Sequence, residues 1–188
     1  MKKTVEHIFA ESIEVKQETL KKNLAAIVHA AEIIITALKS GHKLFFCGNG
    51  GSAADSQHIA AEFVGRFQKE RKAWPAIALT TDSSALTALG NDYTFDIVFS
   101  RQLQALGQKG DVLIAISTSG NSKNVLEALR QAKVMGINTI GVTGGSGGQM
   151  PPLCDISIIA VSSKTARIQE SHLVIFHSIC ELVENTLA

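Results

Sequence analysis

The sequence predicts a single α/β domain in which helices flank a parallel sheet of five strands. Five short apolar runs alternate with helical stretches along the chain, which is typical of βαβ units. The runs show no polar alternation, as expected of strands that are buried on both faces. A chain of 188 residues, 45% of them hydrophobic, is long enough to bury one substantial core.

The elements follow in a simple order. Residues from about 4 to 39 carry apolar side chains at helical spacing, and Gly41 ends this pattern. We therefore divide the domain, 1–188, into an N-terminal helical segment, 1–40, and an α/β core, 41–188. The strands of the core are KLFFCG, AIALTT, DVLIAIS, NTIGVTG and DISIIAV. Further helices are expected near 52–67, 83–89 with 95–106, 122–135 and 166–187.

Composition excludes several classes of partner. The net charge is +1, so no basic footprint points to nucleic acid, and no Lys/Arg run points to a membrane surface. The stretch LAAIVHAAEIIITAL is too short to span a bilayer, and MKKTVEHIFAES lacks the uncharged apolar region of a signal peptide. Cys47, Cys154 and Cys180 lie in apolar runs without metal spacing. We expect a cytoplasmic protein.

Ligands of open α/β sheets bind at the carboxyl ends of the strands, where the loops GNGGS, TTDSSALTALGND and STSGNS fall. GNGGSA fits the loose dinucleotide pattern G-x-G-x-x-A. That interpretation needs an acidic residue about 20 residues further on, whereas the candidate, Asp82, lies 34 residues after Gly48. The alternatives are an ordinary tight turn, or a loop whose backbone N–H groups approach a polar ligand.

The STSGNS loop indicates a phosphate rather than a nucleotide cofactor. It places four hydroxyl residues between a buried strand and the start of the helix KNVLEALRQAK: Ser117, Thr118, Ser119 and Ser122. The positive end of a helix and exposed N–H groups bind a phosphate without any lysine. The alternative is that Ser119 or Ser122 merely caps the helix. We expect a phosphorylated small molecule and no nucleotide.

Two helices carry polar pairs that fit a catalytic site. His58 and Glu62 are four residues apart and share a helix face. They could form a solvated pair, bind a metal or act as an acid/base couple. In the last helix, Gln169 and His177 interrupt an apolar pattern, where a histidine is more often a satisfied core residue than a ligand.

The segments GNGGSAADSQHIAAEFVGRF, ISTSGNSKNV and RIQESH-x4-H together resemble bacterial phosphoheptose isomerases of the sugar isomerase (SIS) domain superfamily. The resemblance covers nearly the whole chain. It implies a SIS-type fold and the conversion of sedoheptulose 7-phosphate to D-glycero-D-manno-heptose 7-phosphate, for lipopolysaccharide or capsule. It also implies a homotetramer with active sites at subunit interfaces and one zinc ion per subunit.

The resemblance also implies roles for individual residues. Those that would contact the sugar are Asn49, Gly50, Gly51, Asn91, Asp92 and Gln169. Those that would hold the phosphate are Ser117, Thr118, Ser119 and Ser122. Those that would bind zinc are His58, Glu62, Gln169 and His177. Glu62 would also be the general base, and His177 the general acid, of a reaction through an enediol.

Helix geometry complicates this ligand set. Four protein ligands fill a tetrahedral zinc site, whereas catalytic zinc keeps a position open, so the metal could be catalytic or structural. In one continuous helix, Gln169 and His177 are about 12 Å apart along the axis and turned by about 80°. Unless Gln169 precedes the helix, one of them must come from a neighbouring subunit. We expect His177 to complete a site whose other parts belong to a different chain.

Two other functions remain as alternatives. The chain could be a non-catalytic SIS module that senses a sugar phosphate, or a protein like the SIS relatives that associate with the replication initiator. The presence of Glu62, Gln169 and His177 favours an enzyme.

Overall fold

The computed structural model describes residues 1–188 and contains one parallel sheet in the strand order β2-β1-β3-β4-β5. The strands are β1 (Leu44–Cys47), β2 (Ala76–Ala78), β3 (Val112–Ser117), β4 (Asn138–Gly144) and β5 (Ile156–Ala160). All six residues of the central strand β3 are buried, which accounts for its continuous apolar run. The predicted sheet of five parallel strands is confirmed.

Six helices cover the sheet: α1 (Lys2–Lys39), α2 (Gly51–Val64), α3 (Ser83–Asp92), α4 (Val98–Leu106), α5 (Lys123–Met135) and α6 (Thr165–Leu187). Short 3₁₀ turns span Phe95–Ile97 and Pro151–Leu153. Side chains of α1, α2 and α6 form one core layer with the sheet, and those of α4 and α5 form the other. The result is a three-layer α/β sandwich.

The N-terminal segment is one continuous helix, α1, about 57 Å long for its 38 residues. It covers the edge strand β5 with polar side chains. The Asn23 amide donates to Ile159 O and accepts from Ile159 N, at 3.0 and 2.9 Å, and Thr19 Oγ1 accepts from Val161 N. These bonds satisfy backbone groups that an edge strand otherwise leaves free. No helix in the structure has both the length and the hydropathy needed to cross a bilayer.

Helix α6 packs closely over the carboxyl end of β4. Gly144 makes this approach possible, because a Cβ atom there would lie 2.4 Å from the Ile168 side chain. His172, one turn further along α6, is fully buried and donates its Nε2–H to Thr143 O at 3.0 Å. The start of α6 is thereby fixed over the end of β4, with Gln169 beside Gly51 after β1.

Candidate active site

The glycine loop joins β1 to α2 at the carboxyl edge of the sheet. Gly50 has φ +56°, a conformation that favours glycine, and α2 begins at the next residue. The Asn49 side chain exchanges two hydrogen bonds with Asn124, at 2.8 and 2.9 Å. A Cβ atom on Gly51 would lie 2.3 Å from Gln169 Nε2. Gln169 therefore meets this loop within the same chain.

The STSGNS loop presents its hydroxyl groups at the start of α5. Ser122 is the N-cap residue, yet its side chain makes no capping hydrogen bond. Its hydroxyl instead pairs with that of Ser117 at 3.0 Å. The Ser119 hydroxyl accepts from Asn121 N at 3.2 Å, within the loop itself. The structure therefore shows no capping hydrogen bond from these serines to α5, and a phosphate site at the N-terminus of this helix stays a prediction.

The glycine-rich segment after β4 supports the STSGNS loop. Gln149 N donates to Gly120 O at 2.9 Å. Gly120 has φ +66°, and a Cβ atom there would lie 1.9 Å from Gly147 O. The composition of 143–152 looks flexible, but its glycines allow two backbones to pack in direct contact.

A second group of polar side chains forms where α2 passes α6. His58 Nε2 lies 3.2 Å from Glu62 Oε1, and the His58 and His177 rings meet edge to face with centroids 5.2 Å apart. The Phe67 ring also packs on His177, with the ring centroids 5.4 Å apart. We call His58, Glu62 and His177 the His–Glu cluster. Because it forms within one chain, the expectation that His177 joins the site from a different chain than Glu62 is wrong.

The remaining predicted residues form a separate group, which we call the loop cluster: Asn49, Gly50, Gly51, Ser117, Thr118, Ser119, Ser122 and Gln169. Gly51 and Glu62 are eleven residues apart in α2, about 16 Å along its axis. Gln169 lies inside α6, which begins at Thr165, so it is held about 12 Å from His177 along that axis. A single chain thus contains the predicted site as two halves.

Two predicted sugar-binding residues are not placed against either cluster. Asn91 and Asp92 are exposed at the end of α3 and bond to each other at 2.9 Å. Their contact with a sugar remains a prediction. Asp82, the candidate for a nucleotide ribose, is the N-cap of α3 and accepts from Ala85 N at 2.9 Å.

Cavity size does not mark the site. The largest cavity, about 460 Å³, lies at the amino ends of the strands, and residues lining it include His29, Glu32, His42 and Asn138. The pocket beside the glycine loop measures only about 130 Å³. We place the site at the carboxyl ends because the hydroxyl groups and the N-termini of α2 and α5 converge there, as in other open α/β sheets.

Sequence reasoning missed three groups around these clusters. Asn124 looks like any polar residue of a first helical turn, yet it is buried and fixes Asn49. Burial raises the pKa of the Asp55 carboxyl, and nearby His58 opposes that rise only in part. One oxygen of Asp55 is buried without a hydrogen-bond partner. The third group is a buried ion pair between Arg71 and Glu184, beyond the end of α2.

The His–Glu cluster offers the donor atoms that zinc prefers. Two imidazoles and one carboxylate are a ligand set of catalytic zinc sites, and three protein ligands leave a position open for substrate. The side chains are not preformed into a cage, since no group of three or more His, Cys, Asp or Glu is arranged to hold a metal ion. The donor types are those that zinc binds, whereas Gln169 of the same chain lies about 12 Å from His177 along α6.

Comparison with known proteins identifies the family of the chain. A family model described as "SIS domain" matches residues 7–144, so the chain is a SIS-domain protein. It is 54% identical over 175 residues to the phosphoheptose isomerase of Campylobacter concisus, covering 92% of this chain and 93% of that protein. It is 55% identical over 186 residues to that of Nitratiruptor sp., covering 97% and 99%.

Solved structures give the same result. The phosphoheptose isomerase of Neisseria gonorrhoeae superposes with a TM-score of 0.93 at 46% identity, with 98% of each chain covered. That of Francisella tularensis gives 0.94 at 38% identity, with 97% of each covered. The chain belongs to the phosphoheptose isomerase family and is an isomerase.

Proposed function

We propose that this enzyme interconverts sedoheptulose 7-phosphate and D-glycero-D-manno-heptose 7-phosphate through an enediol. The names of its relatives support the reaction class. The observation that supports the mechanism is the His–Glu cluster, in which a carboxylate and two imidazoles of one chain lie side by side.

The reaction moves one proton between C1 and C2 and another between their oxygens. A carbon acid this weak needs a base beside the carbon and a donor beside the oxygens. Glu62 is the base that takes the C1 proton and returns it to C2. The close contact with His58, whose Nε2 lies 3.2 Å from Glu62 Oε1, helps to hold the Glu62 carboxylate in place. His177, packed against His58, passes the second proton between O1 and O2.

The loop cluster binds the rest of the substrate. The hydroxyl groups of Ser117, Thr118, Ser119 and Ser122, with the N-terminus of α5, hold the phosphate. Asn49, Gly50 and Gly51 contact the sugar through backbone N–H groups and one amide. Asn91 and Asp92 extend these contacts from the end of α3. A zinc ion bound by His58, Glu62 and His177 would supply Lewis-acid polarisation of the sugar carbonyl.

We further propose that a homotetramer brings the loop cluster of one chain to the His–Glu cluster of another. A pocket of about 130 Å³ is smaller than the roughly 300 Å³ or more of typical ligand sites. Helix α1 also exposes a row of large apolar side chains, which is typical of an interface: Val5, Ile8, Phe9, Ile13, Leu20, Leu24 and Val28. In this arrangement Gln169 reaches the zinc ligands of a neighbour, not those of its own chain.

Incubation with sedoheptulose 7-phosphate tests the function. We expect a new aldose 7-phosphate to appear, and NAD to have no effect. If the protein binds the sugar phosphate without turnover at any added zinc concentration, it is a sensing module of the SIS class and the proposal is wrong.

A further inference from the structure

The chain between α2 and β2 is held by a buried ion pair that reaches the end of α6. Arg71 Nε lies 3.0 Å from Glu184 Oε1, and the two side chains are only 4% and 2% exposed. Glu184 also accepts hydrogen bonds from the backbone N–H groups of Phe67, Gln68 and Lys69, at 3.1, 2.7 and 2.8 Å. A single carboxylate in α6 thus orders the whole turn that follows α2.

The same arginine caps the end of α2. Its Nη2 donates to Glu62 O at 2.7 Å and its Nη1 to Phe63 O at 3.0 Å. These carbonyl groups lie in the last turn, where helical partners are lacking. The guanidinium also stacks on the Trp74 ring at 3.6 Å. Arg71 is therefore fixed from three sides and bonded directly to the backbone of the residue proposed as the base.

Glu184 lies on α6, the helix that carries His177. It lies seven residues after His177, which is two turns along the same face of α6. The turn that Glu184 orders carries Phe67, whose ring packs on His177. Burial alone would raise the pKa of Glu184, but the backbone N–H groups and Arg71 together hold it below its usual value. The carboxylate is therefore charged and bonded at neutral pH.

We propose that Arg71 and Glu184 are positioning residues that set the distance between the base on α2 and the acid on α6. This inference rests on the proposed function of Glu62 and His177. Neither Arg71 nor Glu184 touches the substrate. Each acts through a hydrogen bond to the end of α2 or through the turn that holds Phe67. We call Arg71 and Glu184 the clamp. A displacement of about 1 Å between reacting groups can lower a rate by about 100-fold, so a change in the clamp should affect turnover more than binding.

The test compares two variants of the clamp with a matched control. Glu184→Gln keeps the shape but removes the charge. Arg71→Lys keeps the positive charge but removes the guanidinium, which reaches Glu62 O and Phe63 O, pairs with Glu184 and stacks on Trp74. The control is Asp111→Asn at the amino ends of the strands. Asp111 is also fully buried, and it accepts from two backbone N–H groups and from Lys43 Nζ.

All variants are assayed below their own unfolding temperatures. We expect both clamp variants to lose about 10- to 100-fold in kcat with KM changed less than about threefold. In ¹⁵N-histidine spectra the His177 ring signal should shift in both. Asp111→Asn should keep the parental kcat and His177 signal, even if its unfolding temperature falls as far as those of the clamp variants.

The two proposals fail in different ways. If Glu62→Gln is inactive while both clamp variants keep the parental kcat and His177 signal, the clamp is wrong and the proposed function stands. If the enzyme has no activity on the sugar phosphate, the His177 signal still tests the clamp. A shift in both clamp variants supports it, and an unchanged signal overturns it. An equal loss of kcat in Asp111→Asn would also overturn it, because the effect would then be general loss of stability.

Discussion

At the scale of single residues, the phosphate site is the most directly testable part of the account. Ser119→Ala and Ser122→Ala should each raise KM and leave the fold intact. A hydrogen bond to a charged group contributes about 1.5–3 kcal/mol, which corresponds to about 10- to 150-fold. Ser40→Ala, at the far end of the sheet, is the control. Unchanged KM in both loop variants would remove the STSGNS loop from the site.

His172 gives a prediction about acid stability. Burial lowers its pKa to about 4, although the bond to Thr143 O favours the charged form. The unfolded chain binds this proton near pH 6.5, so stability is lost as the pH falls from 6.5 towards 4 and is unaffected above 6.5. The full loss is about 3 kcal/mol.

His172→Gln should therefore flatten the pH dependence of stability. The amide keeps a donor for Thr143 O but does not titrate. Urea unfolding at pH 7 and pH 4.5 measures the difference. The interpretation is wrong if parent and variant lose equal stability over this range.

At the scale of elements, the sequence predicted the strands well because buried parallel strands leave continuous apolar runs. It predicted α2 to extend to residue 67, whereas α2 ends at Val64. The difference arises because Arg71 draws the final carbonyl groups of α2 towards itself. Arg71 is itself held by Glu184, 113 positions further along the chain, and no local pattern could reveal that partner.

The sequence also singled out the residues of both clusters, but not how the two clusters are arranged. Spacing showed that His58 and Glu62 share a helix face. It could not show that α6 runs beside α2 and brings His177 to His58 in the same chain. Asn124, in α5, was missed for a similar reason, because its partner Asn49 lies in the loop after β1.

The Asn49–Asn124 pair predicts coupling between the sugar and phosphate loops. Asn124→Ala should lower kcat/KM about as much as Asn49→Ala, because Asn124 acts by fixing Asn49. The double variant should then be no worse than Asn49→Ala. Asn138→Ala, an amide at the opposite edge, serves as the control. Additive losses in the double variant would show that the two residues act independently.

At the scale of the whole molecule, the separation of the two clusters predicts shared sites. Mixing inactive Glu62→Gln subunits with Gln169→Ala subunits should restore part of the activity. Some mixed sites would receive an intact His–Glu cluster from one chain and an intact loop cluster from another. The matched control is Glu62→Gln mixed with His177→Ala, which should stay inactive because both residues belong to one cluster.

The reverse pattern would reject this arrangement. If the first mixture forms mixed tetramers without recovering activity, Gln169 serves its own chain. If the control recovers activity instead, Glu62 and His177 come from different chains.

The central claim is that Glu62 moves the proton between C1 and C2. The most direct measurement is kcat of Glu62→Gln with sedoheptulose 7-phosphate, beside Glu70→Gln, a neighbouring carboxylate that is 89% exposed. A positioned general base contributes about 10²- to 10⁴-fold. We predict a loss of kcat of that size in Glu62→Gln, with an unchanged unfolding temperature. Glu70→Gln should keep the parental kcat. Turnover within about tenfold of the parent would contradict the assignment of Glu62 as the base.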